Sequence, residues 1–313
     1  MKLGFIGLGR MGHAMVLHLL EQGVDVVVFN RTAGKIDALS QEAESVKHKA
    51  ESSGKLITAY TIDEMIKWLD KPRIIWLMVP QGKPVDEMME KLLSAGIGKE
   101  DILIDGGNSF YKDSIRRYQQ LKEKGVHFLD IGTSGGLEGA RNGACVMVGG
   151  DKKIYEKVRP VLEKVAIHDG ATYMGPSGAG HFVKMVHNGV EYGMLESLGE
   201  GFEILFNGPY QLNFEEIAKN WSHGSVVRGW LVELLERAFA ADPKLEKIEG
   251  VIGGGTTGGW TIEIAKELNV SAPVIADSLE VRKKSLSKPT FSGKVVAALR
   301  REFGGHEVKK RKG

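Results

Sequence analysis

The chain has 313 residues, 42% hydrophobic and 26% charged, with a formal net charge of +2. That length holds two domains with separate cores, and the near balance of charge leaves no broad basic field for nucleic acid. No apolar run approaches the roughly 18 residues needed to cross a bilayer, and a single cysteine, Cys145, excludes an intrachain disulfide or a thiolate metal cluster.

Residues 2–7, KLGFIG, form a short apolar run that ends in GLGRMG. Gly7, Gly9 and Gly12 give G-x-G-x-x-G, with Leu8, Arg10 and Met11 between them, at a strand-to-helix turn. A helical pattern to about Gln22, a stop at Gly23 and the strand DVVVF complete a βαβ unit of about thirty residues, the context in which this motif binds a dinucleotide. The second strand ends in Asn30, Arg31 and Thr32 where an NAD enzyme carries an acid. An amide and a guanidinium do not repel a 2′-phosphate, so NADP is expected, with NAD possible. The chain opens on a strand without the pattern of a signal peptide, and a cytoplasmic location is expected.

Residues 40–57 are polar and read as an exposed connection. Thr61 and Glu64 make a capping box that starts a helix to Leu69, and Pro72 ends it. RIIWLMVP, a helix over KPVDEMMEKLLSAG, and DILIDGGN follow. Strand ends on this edge of a doubly wound sheet line the cofactor crevice, which brings Val79, Pro80, Gln81 and Asn108 near the dinucleotide. Asp113 to Lys124 is helical, VHFLDIG a strand, TSGGLEGARNG a glycine-rich loop with Ser134, Gly135 and Gly136, and ACVMVGG a strand in which Cys145 reads as a small core residue. A helix from Asp151 to about Val165 follows. This alternation predicts an α/β Rossmann-like doubly wound parallel sheet over residues 1–176, followed by an all-α C-terminal domain over residues 177–313.

The stretch from Gly175 to Leu205 predicts one long helix. Lys184, His187, Asn188, Glu191 and Tyr192 share an arc of about 140° on it, a potential base, acid, amide and phenol in one stripe. Phe182, Val186, Gly189, Val190 and Gly193 lie opposite and are expected to pack against the helix's own domain. Such a stripe, rich in poor helix formers, suits a cleft for a ligand with several hydroxyls. His181 and His187 are six residues apart and point to different sides, which argues against a metal site there. Further helices are expected near 214–220, 225–240, 259–268, 273–286 and 292–302, with GVIGGGTTGGW a flexible loop and the terminal KKRKG a solvated tail.

GLGRMG, NRT, IDGGN, SGG followed by EGA, GAGHFVKMVHNGVEY and RREFGGH, in that order, resemble 6-phosphogluconate dehydrogenase, the decarboxylating enzyme of the pentose phosphate pathway. The resemblance covers nearly the whole chain and looks like the family's short class; its most specific part is K-x-x-H-N-x-x-E-Y. It implies that Lys184 is the base for the C3 hydroxyl and later an acid, that Glu191 protonates C1 after carbon dioxide leaves, and that His187 and Asn188 assist them. It also implies that Asn108, Ser134, Gly135, Gly136, His187 and Asn188 bind the sugar acid, and that Tyr192, Arg228, Arg300 and His306 hold its phosphate. A homodimer or homotetramer with an exchanged C-terminal segment is implied too, and no metal. Leu137 replaces an acid of the long members, and Gly255 and Gly259 replace lysines before Trp260 and Thr261. The alternative reading is a non-decarboxylating β-hydroxyacid dehydrogenase acting on a smaller acid.

Overall fold

The computed structural model describes residues 2–47 and 53–310. It falls into two compact units, Met1–Lys184 and Met185–Gly313.

The first unit is built on one eight-stranded sheet in the order β3-β2-β1-β4-β5-β6-β7-β8. The strands are β1 (Lys2–Ile6), β2 (Asp25–Phe29), β3 (Leu56–Ala59), β4 (Ile74–Leu77), β5 (Ile102–Asp105), β6 (His127–Ser134), β7 (Ala144–Gly150) and β8 (Ala166–Gly175). The helices between them are α1 (Arg10–Glu21), α2 (Ala33–Lys47), α3 (Ile62–Trp68), α4 (Lys83–Ser94), α5 (Tyr111–Lys122), α6 (Gly136–Asn142) and α7 (Lys152–Val165). Successive residues of a strand point to opposite faces. Val26 and Val28 of β2 therefore join Met15 and Leu19 of α1 and Val158 and Leu162 of α7 in one core. Val27, with Ile75 and Leu77 of β4, meets Met65 of α3 and Met89 of α4 in the other. Burial on both faces is what makes the strands read as unbroken apolar runs.

The order reverses between β1, which pairs with β2 on one side, and β4 on the other. The carboxyl ends of β2, β1, β4 and β5 thus face a common crevice, the place where open α/β sheets bind ligands.

The second unit is helical. It holds most of α8 (Ala179–Phe206), then α9 (Phe214–Ser222), α10 (Trp230–Ala241), α11 (Thr256–Glu267), α12 (Pro273–Ser285) and α13 (Phe291–Gly304). Its core gathers Leu195 and Phe202 of α8, Phe214 of α9, Leu235 and Phe239 of α10, and Val295 and Leu299 of α13. Phe202 and Phe239 stack with centroids 5.1 Å apart.

Several expectations are corrected. The stretch 40–57 is not simply a connection: α2 runs into it as far as Lys47 and β3 begins at Leu56, while residues 48–52 lie outside the described set. Among its described residues α2 buries Ile36, Leu39 and Ala43, a thin stripe beside many polar residues in a linear reading. The loop after Ser134 contains α6, whose two glycines, with Gly135 and Gly143 at its caps, hide its helical pattern, and α11 begins inside GGGTTGGW. Residues 225–229 precede α10 rather than belonging to it. Strand β8 gave no signal because it is a sheet edge with little burial and carries His168, Asp169 and Gly170. The sheet is parallel except where β6 meets β7, which run antiparallel. Cys145 is exposed, since alternation along β7 buries Ala144 and Val146 and turns the residue between them outward. Of the terminal KKRKG, Lys309 and Lys310 are exposed as expected, though their backbone pairs with Glu249 and Ile248, and residues 311–313 lie outside the described set.

Candidate active site

At the end of β1, Gly7 has φ +105, and a Cβ there would lie 2.3 Å from the Met78 carbonyl oxygen. A Cβ on Gly12 would lie 2.0 Å from the Gly7 carbonyl oxygen, so the turn closes only without side chains at both positions. Gly9 differs. Nothing comes within 4 Å of the Cβ it lacks, and it stands at the N-cap of α1 with no side-chain cap. Exposed N–H groups beside open space at a helix N-terminus suit a pyrophosphate. Leu8 is buried, Arg10 exposed and Met11 half-buried along this turn.

Asn30 serves the turn from the next strand. Its Oδ1 accepts from the Leu8 N–H at 2.9 Å, and its Nδ2 donates to the Thr32 carbonyl at 3.1 Å. Arg31 and Thr32 are exposed at the same strand end. Val79, Pro80 and Gln81 follow β4, the neighbour of β1 on the other side.

The turn after β5 is pinned by buried charge. Arg117, fully buried on α5, reaches Asp105 at 3.2 Å and Asp86 at 2.8 Å, and donates to the Gly82 carbonyl at 3.0 Å. Asp105 in turn accepts from Gly107 N–H at 3.1 Å and from the Ser109 hydroxyl at 2.7 Å. Between those contacts lies Asn108, exposed. Two arginine-facing carboxylates and a carbonyl satisfy the guanidinium, which is how a charge is tolerated there.

The start of α8 is held by β6. Asp130 is fully buried and accepts from the N–H groups of Gly178 at 2.7 Å and His181 at 2.9 Å, a carboxylate on a helix N-terminus. Lys184 is only 8% exposed, and its stem packs so closely on β6 that a Cβ on Gly132 would fall 2.2 Å from its Cβ. Ser134, Gly135 and Gly136, half-buried, lie at the junction of the same strand with α6.

The rest of the stripe belongs to the second unit. His187 and Asn188 bond to each other at 3.1 Å, and both are half-buried, as are Glu191 and Tyr192. The opposite face corrects the expectation of packing: Val190 is 51% and Met194 52% exposed, and Val186 is also exposed. Of the residues expected to pack, Gly189 and Gly193 are buried and Phe182 is half-buried, and Met185 is buried beside them. Gly189 is where α11 crosses, so close that its missing Cβ would meet Thr261 Cγ2 at 2.6 Å. The Thr261 hydroxyl donates to the Met185 carbonyl at 2.7 Å.

A residue the linear reading passed over completes this group. Arg282 of α12 is 3% exposed, its guanidinium lies 3.5 Å over the Tyr192 ring, and none of its three guanidinium nitrogens makes a hydrogen bond. Burial, with the nearby Arg300, pulls it below the usual arginine range against the pull of Tyr192, Glu191 and Glu196. Arg300 of α13 is likewise lowered by burial and opposed by Tyr192 and Glu191. Two desolvated guanidiniums beside a phenol form a site for a multiply charged anion. In sequence Arg282 opens the run RKK at a helix end, which looks like solvated charge. Arg228 is exposed ahead of α10, and His306 sits edge-on to Phe303 just beyond α13. Gly255 caps α11, where an added Cβ would meet Leu279 Cδ2 at 3.7 Å, and nothing lies within 4 Å of the Cβ that Gly259 lacks.

A dinucleotide turn on a doubly wound sheet, with a helix carrying a buried lysine, defines an NAD(P)-binding oxidoreductase. The profile described as the NAD binding domain of 6-phosphogluconate dehydrogenase matches residues 2–175, and that of the 6-phosphogluconate dehydrogenase C-terminal domain matches residues 180–302. The chain belongs to the 6-phosphogluconate dehydrogenase family. It is 47% identical over 311 residues to YqeC of Bacillus subtilis (strain 168), a 6-phosphogluconate dehydrogenase by provisional name, covering 99% of this chain and 100% of that one. It is 41% identical over 310 residues, 98% of each chain, to the NAD(+)-dependent, decarboxylating 6-phosphogluconate dehydrogenase of Haloferax volcanii. The Plasmodium falciparum 6-phosphogluconate dehydrogenase structure superposes with a TM-score of 0.83 at 32% identity, over 92% of this chain and 62% of that one. A 3-hydroxyisobutyrate dehydrogenase of Mycobacterium tuberculosis, 20% identical with a TM-score of 0.67 over 96% of this chain and 99% of that one, shares the fold.

Proposed function

We propose that the protein oxidises and decarboxylates 6-phosphogluconate to ribulose 5-phosphate and carbon dioxide, with NADP as acceptor. The observation that carries this reading is the group formed by Arg282, Arg300 and Tyr192 in one unit with Glu191, on the same continuous helix as Lys184. A smaller, unphosphorylated hydroxyacid has no use for two buried guanidiniums, whereas a phosphate ester neutralises both.

Gly7, Gly9, Gly12 and Asn30 fit a dinucleotide, with Val79, Pro80 and Gln81 beside it, and the bound nicotinamide would accept hydride from C3 of the sugar acid. Lys184 takes the C3 hydroxyl proton as that hydride leaves, and returns a proton to the keto oxygen so that the enediol forms as carbon dioxide departs. Glu191 then delivers a proton to C1. Asn108, Ser134, Gly135, Gly136, His187 and Asn188 orient the acid and its hydroxyls, and Arg282 joins Tyr192, Arg300, Arg228 and His306 on the phosphate. Arg31, exposed beside Thr32, favours NADP by pairing with its 2′-phosphate.

The test is to follow NADPH absorbance and carbon dioxide release together on 6-phosphogluconate. Equal rates are expected, and Lys184→Ala should lose about three orders of magnitude or more, as removal of an essential base does. NADPH formation without carbon dioxide would make the enzyme a non-decarboxylating β-hydroxyacid dehydrogenase. Equal or better efficiency with NAD would refute the cofactor preference.

A further inference from the structure

We infer that His181 is a positioning residue for this reaction, fixing the peptide that carries Asn108 relative to the turn of α8 that carries Lys184. The inference rests on the proposed role of Asn108 as a ligand of the sugar acid.

His181 is 1% exposed. One ring nitrogen, Nε2, lies 3.1 Å from the Gly107 carbonyl oxygen, and the other, Nδ1, lies 2.7 Å from the Ser114 hydroxyl. A carbonyl oxygen only accepts, so the proton belongs on Nε2, and Nδ1 then accepts from the Ser114 hydroxyl. The Gly107 carbonyl sets the tautomer, and the serine on α5, whose hydroxyl can donate or accept, holds it by donating to the nitrogen left bare.

What that bond controls follows from peptide geometry. The Gly107 carbonyl and the Asn108 N–H lie in one trans peptide plane and point in opposite directions. Gly107 is already held at its own N–H by Asp105, at 3.1 Å. Adding a donor at its carbonyl fixes the second edge, and with it the plane from which the Asn108 side chain starts. Glycine at 107 leaves the backbone otherwise free to rotate there.

The histidine also fixes where that plane sits. Its own N–H donates to Asp130 at 2.9 Å, and one turn later on the same helix the stem of Lys184 rests on Gly132 of the strand that bears Asp130. A single side chain thus links the turn after β5 to the helix of the proposed base. Error in this linkage displaces the amide from the lysine, and displacement of about 1 Å in such a pair costs up to about 100-fold in rate.

Two substitutions separate the nitrogens. In His181→Gln the side-chain amide reaches the position of Nε2 and can donate to Gly107, whereas in His181→Asn the amide reaches only that of Nδ1 and leaves Gly107 without its donor. The full-length enzyme with Gln should keep kcat/KM for 6-phosphogluconate within about threefold, and with Asn should lose about 10- to 100-fold. Hydrogen exchange of the peptide spanning residues 105–112 should quicken in the Asn variant alone. Equal losses in both variants, or no loss in either, would overturn the assignment and leave a core histidine that only packs.

Exchange is read without substrate, so it separates the two claims. If the wild type fails to turn over 6-phosphogluconate, the proposed function falls, and the Asn-specific exchange decides the positioning role by itself. If neither variant folds, Ser114→Ala decides: faster exchange over residues 105–112 supports the linkage, and unchanged exchange ends it.

Discussion

Glu196 illustrates what one buried residue costs. It is 5% exposed, its Oε1 meets the Ser292 hydroxyl at 3.3 Å, and its Oε2 has no hydrogen-bond partner. Burial, reinforced by Glu200 and Glu203 and opposed by Ser292 and Arg282, raises its pKa from 4.5 to about 6. The folded chain therefore holds a proton that the unfolded chain releases between those values, and stability falls as pH rises through that window, by about 2 kcal/mol in all. Glu196→Gln should be more stable than wild type above pH ~6 by up to that amount and equal to it near pH ~4, which denaturant melts at the two pH values measure. Arg282 presents the complementary case. A buried guanidinium that makes no hydrogen bond destabilises the free protein, so Arg282→Met should leave the melting temperature unchanged or higher while raising KM for 6-phosphogluconate by about 30-fold or more. A lower melting temperature with an unchanged KM would mean that the arginine is structural.

The elements divide by what their glycines permit. In the turn between β1 and α1, Gly12 touches backbone and Gly9 touches nothing, and Gly9 has φ −69 and ψ 179, open to any residue. Gly9→Val should therefore fold with wild-type stability and lose cofactor binding by at least about tenfold, because the added side chain occupies ligand space. Gly12→Val should lose both, because its Cβ meets the Gly7 carbonyl. A thermal melt beside a fluorescence titration with NADPH distinguishes them. Helix α8 carries the same lesson over 28 residues. Its polar stripe was legible, since Lys184 to Tyr192 recur at helical spacing, yet its apolar face does not pack as its hydrophobicity suggests. Gly189 takes the crossing with α11 that a side chain would prevent, so close approach outweighed apolar area in choosing the buried face.

At the scale of the whole molecule, the family resemblance implies that the C-terminal segment crosses to a second subunit, while Arg300 stands in electrostatic reach of Tyr192 and Glu191 of its own chain. Co-expression of Lys184→Ala and Arg300→Ala chains measures the difference. Exchange restores activity in mixed oligomers, and a clamp made within one chain restores none; the placement of Arg300 favours the second outcome. The same comparison marks how far the sequence reached. Local signals alone determined the dinucleotide turn, the buried strands, the long helix and its stripe, because glycine spacing and periodicity act over one or two turns of chain. Only the tertiary structure decided the edge strand β8, the antiparallel β7, the exposed side of α8, and the pairing of Arg282 with Tyr192 and of His181 with Gly107. Those depend on which residues, separated by 74 positions in the last case, share a desolvated space, and a buried charge or a bridging imidazole has no local pattern by which to be seen.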